Sequence, residues 1–325
     1  MKTLVIGAAG HIGGNLVREL LERGRDVRVL LRNDTRAIDG LDVERVHADV
    51  LAPETLGAAL DGVDVVYHLA AVITISGDRD GTVRDTNVNG PRNVVNACVE
   101  AGVRRMVHFS SIHAFNPQPL DEVIDEDRPL NGEEAPLAYD RTKAAGQREV
   151  LAGIERGLDA VIVHPTGVLG RNDFKPSRMG EVILMLCQRK FPALVDGGFN
   201  WVDVRDVVDG AIAAGERGQA GRNYLLSGHW CSFAELAALV GEVAGVRIPK
   251  MVSPMWLARI GAPFVAGFSR LTGTRPLYTP EALHALRNHK LITHARATEE
   301  LGYEPHTLRE TIEDTVSWFR ANGML

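Results

Sequence analysis

The stretch "AYDRTKAAG" contains two residues, four positions apart, that could act together in proton transfer. In a helix, residues four apart lie on one face, so Tyr139 and Lys143 would be neighbours. The ordinary pKa of a tyrosine is about 10, which makes it a poor acid or base at neutral pH, and an adjacent ammonium group favours the phenolate. The spacing indicates a catalytic pair, although the same spacing also occurs on solvated helices.

A glycine pattern, "VIGAAGHIGG", separates an apolar run from a helical pattern at the start of the chain. Gly7, Gly10 and Gly13 permit a tight turn and a close approach of the backbone to a pyrophosphate, and a helix N-terminus offers unpaired N–H groups. A packing turn without a ligand is the alternative. Because the pattern opens a strand–helix–strand unit, it favours a dinucleotide-binding loop, which includes His11 and Ile12.

The second apolar run ends in Arg32, where an NAD-binding chain commonly has an acidic residue bonded to the ribose 2′-hydroxyl. The arginine fork suits charge-assisted bonds to a 2′-phosphate. An ordinary solvated arginine is the alternative. The residue type favours NADP as the cofactor, with NAD as the second choice. Asp49 and Val50, after the third apolar run, are placed to flank the adenine.

Short β-rich runs alternate with helical patterns through the first half of the chain. This alternation predicts an α/β fold, a Rossmann-type doubly wound parallel sheet, for a dinucleotide-binding domain over residues 1–165. Ligands bind at the carboxyl edge of such a sheet. The predicted strands are Leu4–Ile6, Val27–Leu31, Val43–His47, Val63–His68, Arg105–Ser110 and Ala160–Val163. The predicted helices are Ile12–Arg23, Pro53–Leu60, Thr82–Ala101 and Leu137–Arg156.

The alternation breaks after about His164, where prolines and glycines become frequent. We expect a smaller α/β substrate-binding domain over residues 166–325. Two segments within about 200–226 are predicted to return to the first sheet, as a strand with its helix and as a further strand: Trp201–Ala214 and Tyr224–Leu226.

The motifs together resemble an extended short-chain dehydrogenase/reductase of the NAD-dependent epimerase/dehydratase superfamily. The resemblance covers essentially the whole chain, with the motifs in the family's order. The matching segments are "GAAGHIGG", "ADV" at 48–50, "YHLAA" at 67–71, "NVNGPRNVVNAC" at 87–98, "VHFSSIHAF" at 107–115, "YDRTK" at 139–143, "HPTGVLG" at 164–170, "FNWVDVRDVVDG" at 199–210 and the C-terminal "LGYEPHTLRETIEDTVSWF".

The resemblance implies a catalytic set of Ser111, Tyr139 and Lys143, with Ser110 as the substitute for Ser111. The tyrosine would exchange a proton with the substrate oxygen while the serine hydroxyl holds that oxygen. Lys143 would supply positive charge and reach the nicotinamide ribose. The resemblance also places several residues against the cofactor: Leu69, Ala70, Ala71 and, near the nicotinamide, Pro165.

Two histidines fall close to these motifs. His164 stands where the family often has arginine, and we expect no catalytic role for it. His113 lies two residues after Ser111 in the loop of the active site. Packing beneath that loop is favoured over a substrate contact for this histidine.

The reaction is predicted to be hydride transfer between a carbonyl and an alcohol. Ile112 and His113 stand where a sugar-nucleotide dehydratase has an acidic pair, which counts against dehydration. The branch most similar is that of dihydroflavonol reductases and 3β-hydroxysteroid dehydrogenases. An apolar or aromatic small molecule suits the bulky residues of the second half: Phe199, Trp201, Trp230, Met251, Met255, Trp256, Phe264 and Phe268. A nucleotide-sugar epimerase and a non-catalytic dinucleotide sensor are the alternatives, and the Tyr–Lys pair counts against the sensor.

The charge and composition of the 325 residues limit the partners. A formal net charge of −6, without a Lys/Arg-rich run, disfavours nucleic acid. The apolar stretch Met255–Phe268 contains Arg259 and Pro263 and is shorter than the roughly 20 residues of a membrane span, so we expect none.

The three cysteines are too few and too widely separated for a disulfide framework, and they predict reduced thiols in a cytoplasmic protein without a metal site. They are Cys98, Cys187 and Cys231. Family members commonly pair through the helices that here are predicted at Thr82–Ala101 and Leu137–Arg156, so we also expect a homodimer.

Overall fold

Strands and helices alternate along the computed structural model, which describes residues 1–74, 77–249, 251–257, 286 and 290–325. The strands are β1 (Lys2–Ile6), β2 (Asp26–Leu31), β3 (Glu44–His47), β4 (Val65–His68), β5 (Arg105–Phe109), β6 (Ala160–Pro165), β7 (Gly167–Leu169), β8 (Leu194–Val195), β9 (Gly198–Asp203), β10 (Asn223–Leu226), β11 (His229–Ser232) and β12 (Val252–Ser253). The helices are α1 (His11–Glu22), α2 (Leu56–Leu60), α3 (Thr82–Arg84), α4 (Gly90–Glu100), α5 (Ala138–Glu155), α6 (Arg178–Cys187), α7 (Val204–Arg217), α8 (Phe233–Ala244), α9 (Ala295–Leu301) and α10 (Leu308–Ala321).

Seven of these strands form one parallel sheet in the order β10-β6-β5-β4-β1-β2-β3. The strand order reverses between β1 and β4, and in an open α/β sheet the crevice for a ligand lies at such a point. The predicted Rossmann-type doubly wound α/β fold is therefore confirmed.

The sheet is apolar on both faces because helices cover both. One hydrophobic cluster joins the sheet to α1 and α7 through side chains such as Leu16 and Val207. The second joins the other face to α2, α4 and α5 through side chains such as Val94 and Val150. Full burial of each such side chain contributes about 1.5–3 kcal/mol relative to exposure. This double burial explains why the strands are nearly continuous apolar runs.

The helix predicted at Thr82–Ala101 contains an irregular middle section. Asp85–Asn89 is π-helical between α3 and α4. Pro91 has no N–H to donate to the carbonyl of Asn87, four residues before it, which permits this widening. That carbonyl oxygen packs on α5, where a Cβ at Gly146 would lie 2.0 Å from it. A glycine at this position therefore lets the two helices approach closely.

A second lobe is built around its own small sheet, in the order β11-β9-β7. Its hydrophobic core includes Trp201, Leu236 and Phe319. The strand at the start of Trp201–Ala214 was predicted to join the first sheet, and this is wrong, because β9 pairs with β7 and β11 instead. The helix that follows it, α7, packs on α1. The other predicted segment, Tyr224–Leu226, lies in β10, which joins the large sheet. The proposed division into domains 1–165 and 166–325 remains a prediction.

Most of the apolar stretch Met255–Phe268, including Phe264 and Phe268, lies outside the described residues. Among the residues that are described, no helix combines the length and the apolar character needed to cross a bilayer. The three cysteines are free thiols, with Cys98 and Cys187 buried.

Candidate active site

A groove of about 680 Å³ runs along the carboxyl ends of β1, β2 and β4. The glycine turn forms one wall. Gly7 has a φ of +102°, and a Cβ at Gly13 would lie 2.2 Å from the Gly7 carbonyl oxygen, so both positions require glycine. Gly10, before α1, provides no side-chain cap, which leaves the N–H groups of the first turn for a ligand. This cradle and positive helix end fit the pyrophosphate of a dinucleotide.

Arg32 lines the far end of the groove. Its side chain is 60% exposed, and its Nη1 lies 3.8 Å from Oδ2 of Asp49, a distance too long for a firm hydrogen bond. Asp34 lines the same end, but Arg36 donates to its two carboxylate oxygens at 3.0 and 2.6 Å. These bonds lower the pKa of Asp34 to about 2. Arg32 is thus loosely held, whereas Asp34 is neutralised by its neighbour.

The wall after β4 contains three residues predicted to face the cofactor: Leu69, Ala70 and Ala71. The next residue, Val72, is clamped by the side chain of Asn87. Asn87 Oδ1 accepts from the Val72 N–H at 2.8 Å, and its Nδ2 donates to the Val72 carbonyl at 3.0 Å. The same Nδ2 donates to Thr142 Oγ1 at 3.1 Å. Asn87 therefore joins the cofactor wall to the helix that carries Tyr139 and Lys143.

The two residues predicted to flank the adenine also lie in the groove, after β3. The Asp49 carboxylate accepts from the N–H of Leu51 at 3.0 Å, which forms a tight turn. Val50 is buried against α4, where Asn93 Nδ2 donates to its carbonyl oxygen at 2.8 Å. The turn is therefore fixed from both sides.

Tyr139 and Lys143 lie one turn apart at the start of α5. Lys143 is 5% exposed, and its Nζ donates to the Phe109 carbonyl oxygen, at the end of β5, at 2.8 Å. Tyr139 is half-buried and hydrogen-bonded to Ser111. The structure thus brings Ser111 and Tyr139 into contact at the carboxyl edge of the sheet, with Lys143 beside them.

The electrostatics of this pair differ from the sequence-based expectation. Burial raises the pKa of Tyr139 to about 12, against a smaller lowering by the hydrogen bond with Ser111. Burial also lowers the pKa of Lys143 to about 8. The expected stabilisation of the phenolate by Lys143 is outweighed, because removal from water penalises the charged form of each group.

The two adjacent serines have different partners. Ser110 Oγ donates to Gln147 Oε1 at 2.7 Å, whereas Ser111 Oγ accepts from the His113 N–H at 3.2 Å and contacts Tyr139. Ser111 also begins the short 3-10 turn that follows β5. This geometry favours Ser111 over Ser110 as the hydroxyl beside the reacting oxygen.

His113 lies against Tyr139, with the two ring centroids 5.4 Å apart in an edge-on arrangement. Its Nδ1 is 2.9 Å from Oδ1 of the buried Asp140. Because a carboxylate only accepts, this nitrogen carries the proton. The side chain of His113 is 22% exposed. The histidine is therefore held beside Tyr139 by a carboxylate that the sequence had not singled out.

Three buried histidines occupy neighbouring strands beneath Lys143. His68 and His108 meet through their Nδ1 atoms at 3.1 Å, and His164 Nε2 lies 2.9 Å from Gln147 Oε1. Burial, followed by the charge of Lys143, lowers the pKa of His68 and of His164 to about 3. His68 and His164 are therefore neutral at physiological pH.

Pro165 ends β6 beside β10, and the following Thr166 donates its hydroxyl to Asn200 Oδ1 at 2.9 Å. His11, predicted in the cofactor loop, also makes a contact with the second lobe: its Nε2 is 2.9 Å from the Arg171 carbonyl oxygen. The backbone of His11 and Ile12 forms the first turn of α1.

Three supporting residues were not predicted, and each had a local signal. Asn87 stands in the quoted "NVNGPRNVVNAC" motif, and Asp140 directly follows Tyr139. Gln147 continues the four-residue spacing of Tyr139 and Lys143. Their partners lie on other elements, which is why spacing alone did not reveal them.

Comparison with known proteins agrees with this geometry. The model of the NAD dependent epimerase/dehydratase family matches residues 3–227. A "Sterol demethylase protein B" of Methylococcus capsulatus is 37% identical, over 100% of this chain and 100% of its own. A protein of Synechocystis named as a dihydroflavonol 4-reductase is 31% identical, over 98% of this chain and 94% of its own.

A solved structure agrees as well. The nucleoside-diphosphate-sugar epimerase of Pseudomonas aeruginosa has 26% sequence identity and a TM-score of 0.83, with 100% of this chain and 99% of that chain covered. The similarity to reductases and to this epimerase confirms the resemblance drawn from the motifs. The chain belongs to the NAD-dependent epimerase/dehydratase family, as an enzyme of the extended short-chain dehydrogenase/reductase type.

Proposed function

We propose that this enzyme is an NADP(H)-dependent oxidoreductase that interconverts a ketone or aldehyde with an alcohol on an apolar or aromatic small molecule. The observation that carries the proposal is the contact of Ser111 with Tyr139, beside a buried Lys143 and next to a dinucleotide groove. A hydroxyl pair and a cation at that edge of the sheet suit the transfer of a proton to or from an oxygen while a hydride moves.

Tyr139 is the acid in the direction of reduction. A pKa of about 12 keeps its phenol protonated at neutral pH, which is the form that donates to a carbonyl oxygen. Ser111 holds that oxygen, and Lys143 supplies positive charge near the phenolate that remains. The nicotinamide, when bound, supplies the hydride. In oxidation the same phenolate takes the proton of the alcohol.

NADP is favoured over NAD by the far end of the groove. Arg32 is exposed there with only a 3.8 Å contact to Asp49, so its guanidinium is available to a 2′-phosphate. Asp34 is the acidic residue in the same wall that would otherwise suit a ribose hydroxyl. Both of its oxygens are already bonded to Arg36. This arrangement supports a phosphate-binding end.

The class of substrate rests on the relatives. A sterol and a dihydroflavonol, which give the two relatives their names, are both apolar or aromatic. Among the bulky residues of the second half, Met251 and Trp256 are 65% and 64% exposed. Trp201, which is 2% exposed, belongs to the core instead.

The test is a screen of ketones and aldehydes with NADPH, and of alcohols with NADP, followed by the absorbance of the reduced nicotinamide. We expect oxidation of NADPH with apolar ketones, and no such reaction with the Tyr139→Phe variant. Absence of turnover with every carbonyl and alcohol, together with conversion of a nucleotide sugar, would reject the proposal.

A nucleotide-sugar epimerase is the second candidate, favoured by the structural similarity to the Pseudomonas aeruginosa epimerase. An epimerase returns its hydride to the same substrate, so NAD would remain bound and unchanged after turnover. Net consumption of NADPH distinguishes the two candidates. The oxidoreductase consumes NADPH during turnover, whereas the epimerase does not.

We further propose that the enzyme forms a homodimer through α4 and α5. These helices pack against each other on one face of the sheet, and Arg92 and Glu149 bridge them at 2.7 Å. Light scattering at micromolar concentration should give twice the mass of the chain, and a monomer mass would contradict the proposal.

A further inference from the structure

His113 contacts both residues of the proposed hydroxyl pair. Its backbone N–H donates to Ser111 Oγ at 3.2 Å. Its ring lies edge-on to the ring of Tyr139, with the centroids 5.4 Å apart and the planes at 65°. Because the hydroxyl of Ser111 accepts this bond, its own proton is left to be donated to the phenol or to a substrate oxygen. One residue of the turn after β5 therefore lies against both hydroxyl-bearing side chains.

Asp140 holds the ring of His113 in this place. It is the third residue of α5 and is 3% exposed, and its Oδ1 accepts from Nδ1 of His113 at 2.9 Å. A carboxylate that is removed from water costs free energy unless it is hydrogen-bonded, so the contact compensates a buried charge. Since Asp140 directly follows Tyr139 on the helix, α5 carries both the phenol and the anchor of the ring beside it.

The backbone of the turn has a separate anchor. Asn131 is 5% exposed, and its Nδ2 donates to the carbonyl oxygens of His113 and Phe115, each at 2.9 Å. The carbonyl oxygen of Asn131 accepts from Nη2 of Arg148, farther along α5, at 2.6 Å. These bonds do not involve Asp140. Removal of its carboxylate should therefore release the imidazole and leave the backbone of the turn in place.

We propose that His113 and Asp140 are positioning residues, which together fix the phenol of Tyr139 beside the hydroxyl of Ser111 so that both meet one substrate oxygen. The inference rests on the proposed role of Tyr139 as the acid. A displacement of about 1 Å at a reacting group can cost about a hundredfold in rate. Neither His113 nor Asp140 lines the cofactor groove, so kcat should respond to their loss and the affinity for NADPH should not.

The first test compares Asp140→Ala with Asp140→Asn. The assay follows NADPH with a dihydroflavonol, or with the ketone of the screen that the wild type reduces faster. Asp140→Ala should lower kcat by about tenfold to a hundredfold, because the ring beside the phenol loses its anchor. The KM and the dissociation constant for NADPH should stay within about threefold. Asp140→Asn keeps a side-chain partner for the imidazole and should restore kcat to within about threefold of the wild type.

The second test removes the other side of the contact. His113→Phe keeps an aromatic ring against Tyr139 but loses the bond to Asp140, so its kcat should fall as in Asp140→Ala. The double variant, His113→Phe with Asp140→Ala, should lose no more than about threefold beyond the larger single loss, because the two side chains act as one unit. It also removes the carboxylate that His113→Phe alone leaves buried without its bond, which keeps the test available if the single variant does not fold.

Asp206→Ala is the matched control. Asp206 is the third residue of α7, is 4% exposed and is bonded to Nδ1 of His306, so it repeats the contact of Asp140 on a helix that covers the opposite face of the sheet. The midpoint of thermal unfolding should fall in both alanine variants, whereas kcat should stay within about twofold of the wild type in Asp206→Ala.

Three results would overturn the inference. If Asp140→Ala keeps kcat within about threefold of the wild type while Tyr139→Phe loses its activity, the positioning role is rejected and the proposed function stands. Equal losses of kcat in Asp140→Ala and Asp206→Ala would show that the carboxylate only stabilises the fold. If Tyr139→Phe retains the rate of the wild type, the proposed role of the tyrosine and the inference fail together.

Discussion

The proposed catalytic cluster and the end of the groove that carries Arg32 are built in opposite ways. In the cluster, Lys143 is 5% exposed and bonded to the Phe109 carbonyl, and the neighbouring serines have defined partners. At the end of the groove proposed to bind the 2′-phosphate, Arg32 is 60% exposed and only loosely paired. The difference separates two requirements. Proton transfer needs groups held in place and out of water, whereas recognition of a phosphate needs charge that a ligand can recruit.

The largest effect is expected in the proposed catalytic cluster. Tyr139→Phe removes only the phenol hydroxyl, and general acid–base catalysis contributes about 10²- to 10⁴-fold in rate, so kcat should fall within that range. The dissociation constant for NADPH should stay within about twofold. Steady-state kinetics and calorimetry give the two numbers. A loss of cofactor affinity as large as the loss of rate would show that the tyrosine is structural.

Arg32→Asp tests the opposite end. The substitution deletes a forked donor and sets a carboxylate against the 2′-phosphate. Loss of a hydrogen bond to a charged group costs roughly 1.5–3 kcal/mol, so the affinity for NADPH should fall at least about tenfold. The affinity for NADH should hold or improve, because the new carboxylate can bond the ribose 2′-hydroxyl.

The thermal unfolding of Arg32→Asp should match that of the wild type, because the side chain is exposed and loosely paired. Dissociation constants for both cofactors, in the wild type and the variant, check the switch in preference. A variant that loses both cofactors equally would contradict the assignment of NADP.

Lys143→Met tests how much the burial of this ammonium group lowers the free energy of unfolding. The pKa of Lys143 is lowered from 10.5 to about 8, so below pH 8 the folded state carries a buried charge that the unfolded chain keeps in water. The variant should unfold at higher denaturant concentration at pH 7, with a gain on the order of 1–3 kcal/mol, while its activity is lost.

The sign of the pH dependence follows from the same shift. Between pH 8 and 10.5 the unfolded wild type binds more protons at this site, so its stability rises with pH relative to the variant. The advantage of Lys143→Met should therefore shrink across that window. Denaturant unfolding at several pH values measures it, and an advantage independent of pH would show that packing, not charge, is responsible.

The same contrast explains what the sequence could reveal. The glycine loop and the Tyr139–Lys143 spacing are local, and the alternation of strands and helices follows from burial of both sheet faces, so motif and pattern predicted them. The sequence does not reveal which sheet β9 joins, because the aromatic residues of this strand suit either sheet. The pKa of Tyr139 depends on burial, and the His113–Asp140 contact joins residues 27 positions apart.

The smallest effect on rate is expected at Ser110, the neighbour of Ser111 in the proposed catalytic cluster. Ser111→Ala removes the hydrogen-bond partner of Tyr139, and the loss of one such bond at a reacting oxygen should lower kcat by roughly tenfold to a hundredfold. Ser110→Ala removes a buried bond to Gln147 and leaves its Oε1 with His164, so it should destabilise the fold by about 1 kcal/mol. Its kcat should stay within about threefold, because the Ser110 hydroxyl is bonded to Gln147, two turns along α5 from Tyr139. Kinetics and denaturant unfolding of both variants measure the two quantities. If Ser110→Ala loses as much rate as Ser111→Ala, the hydroxyl beside the substrate oxygen is Ser110 and the arrangement of the proposed catalytic cluster differs from the one described.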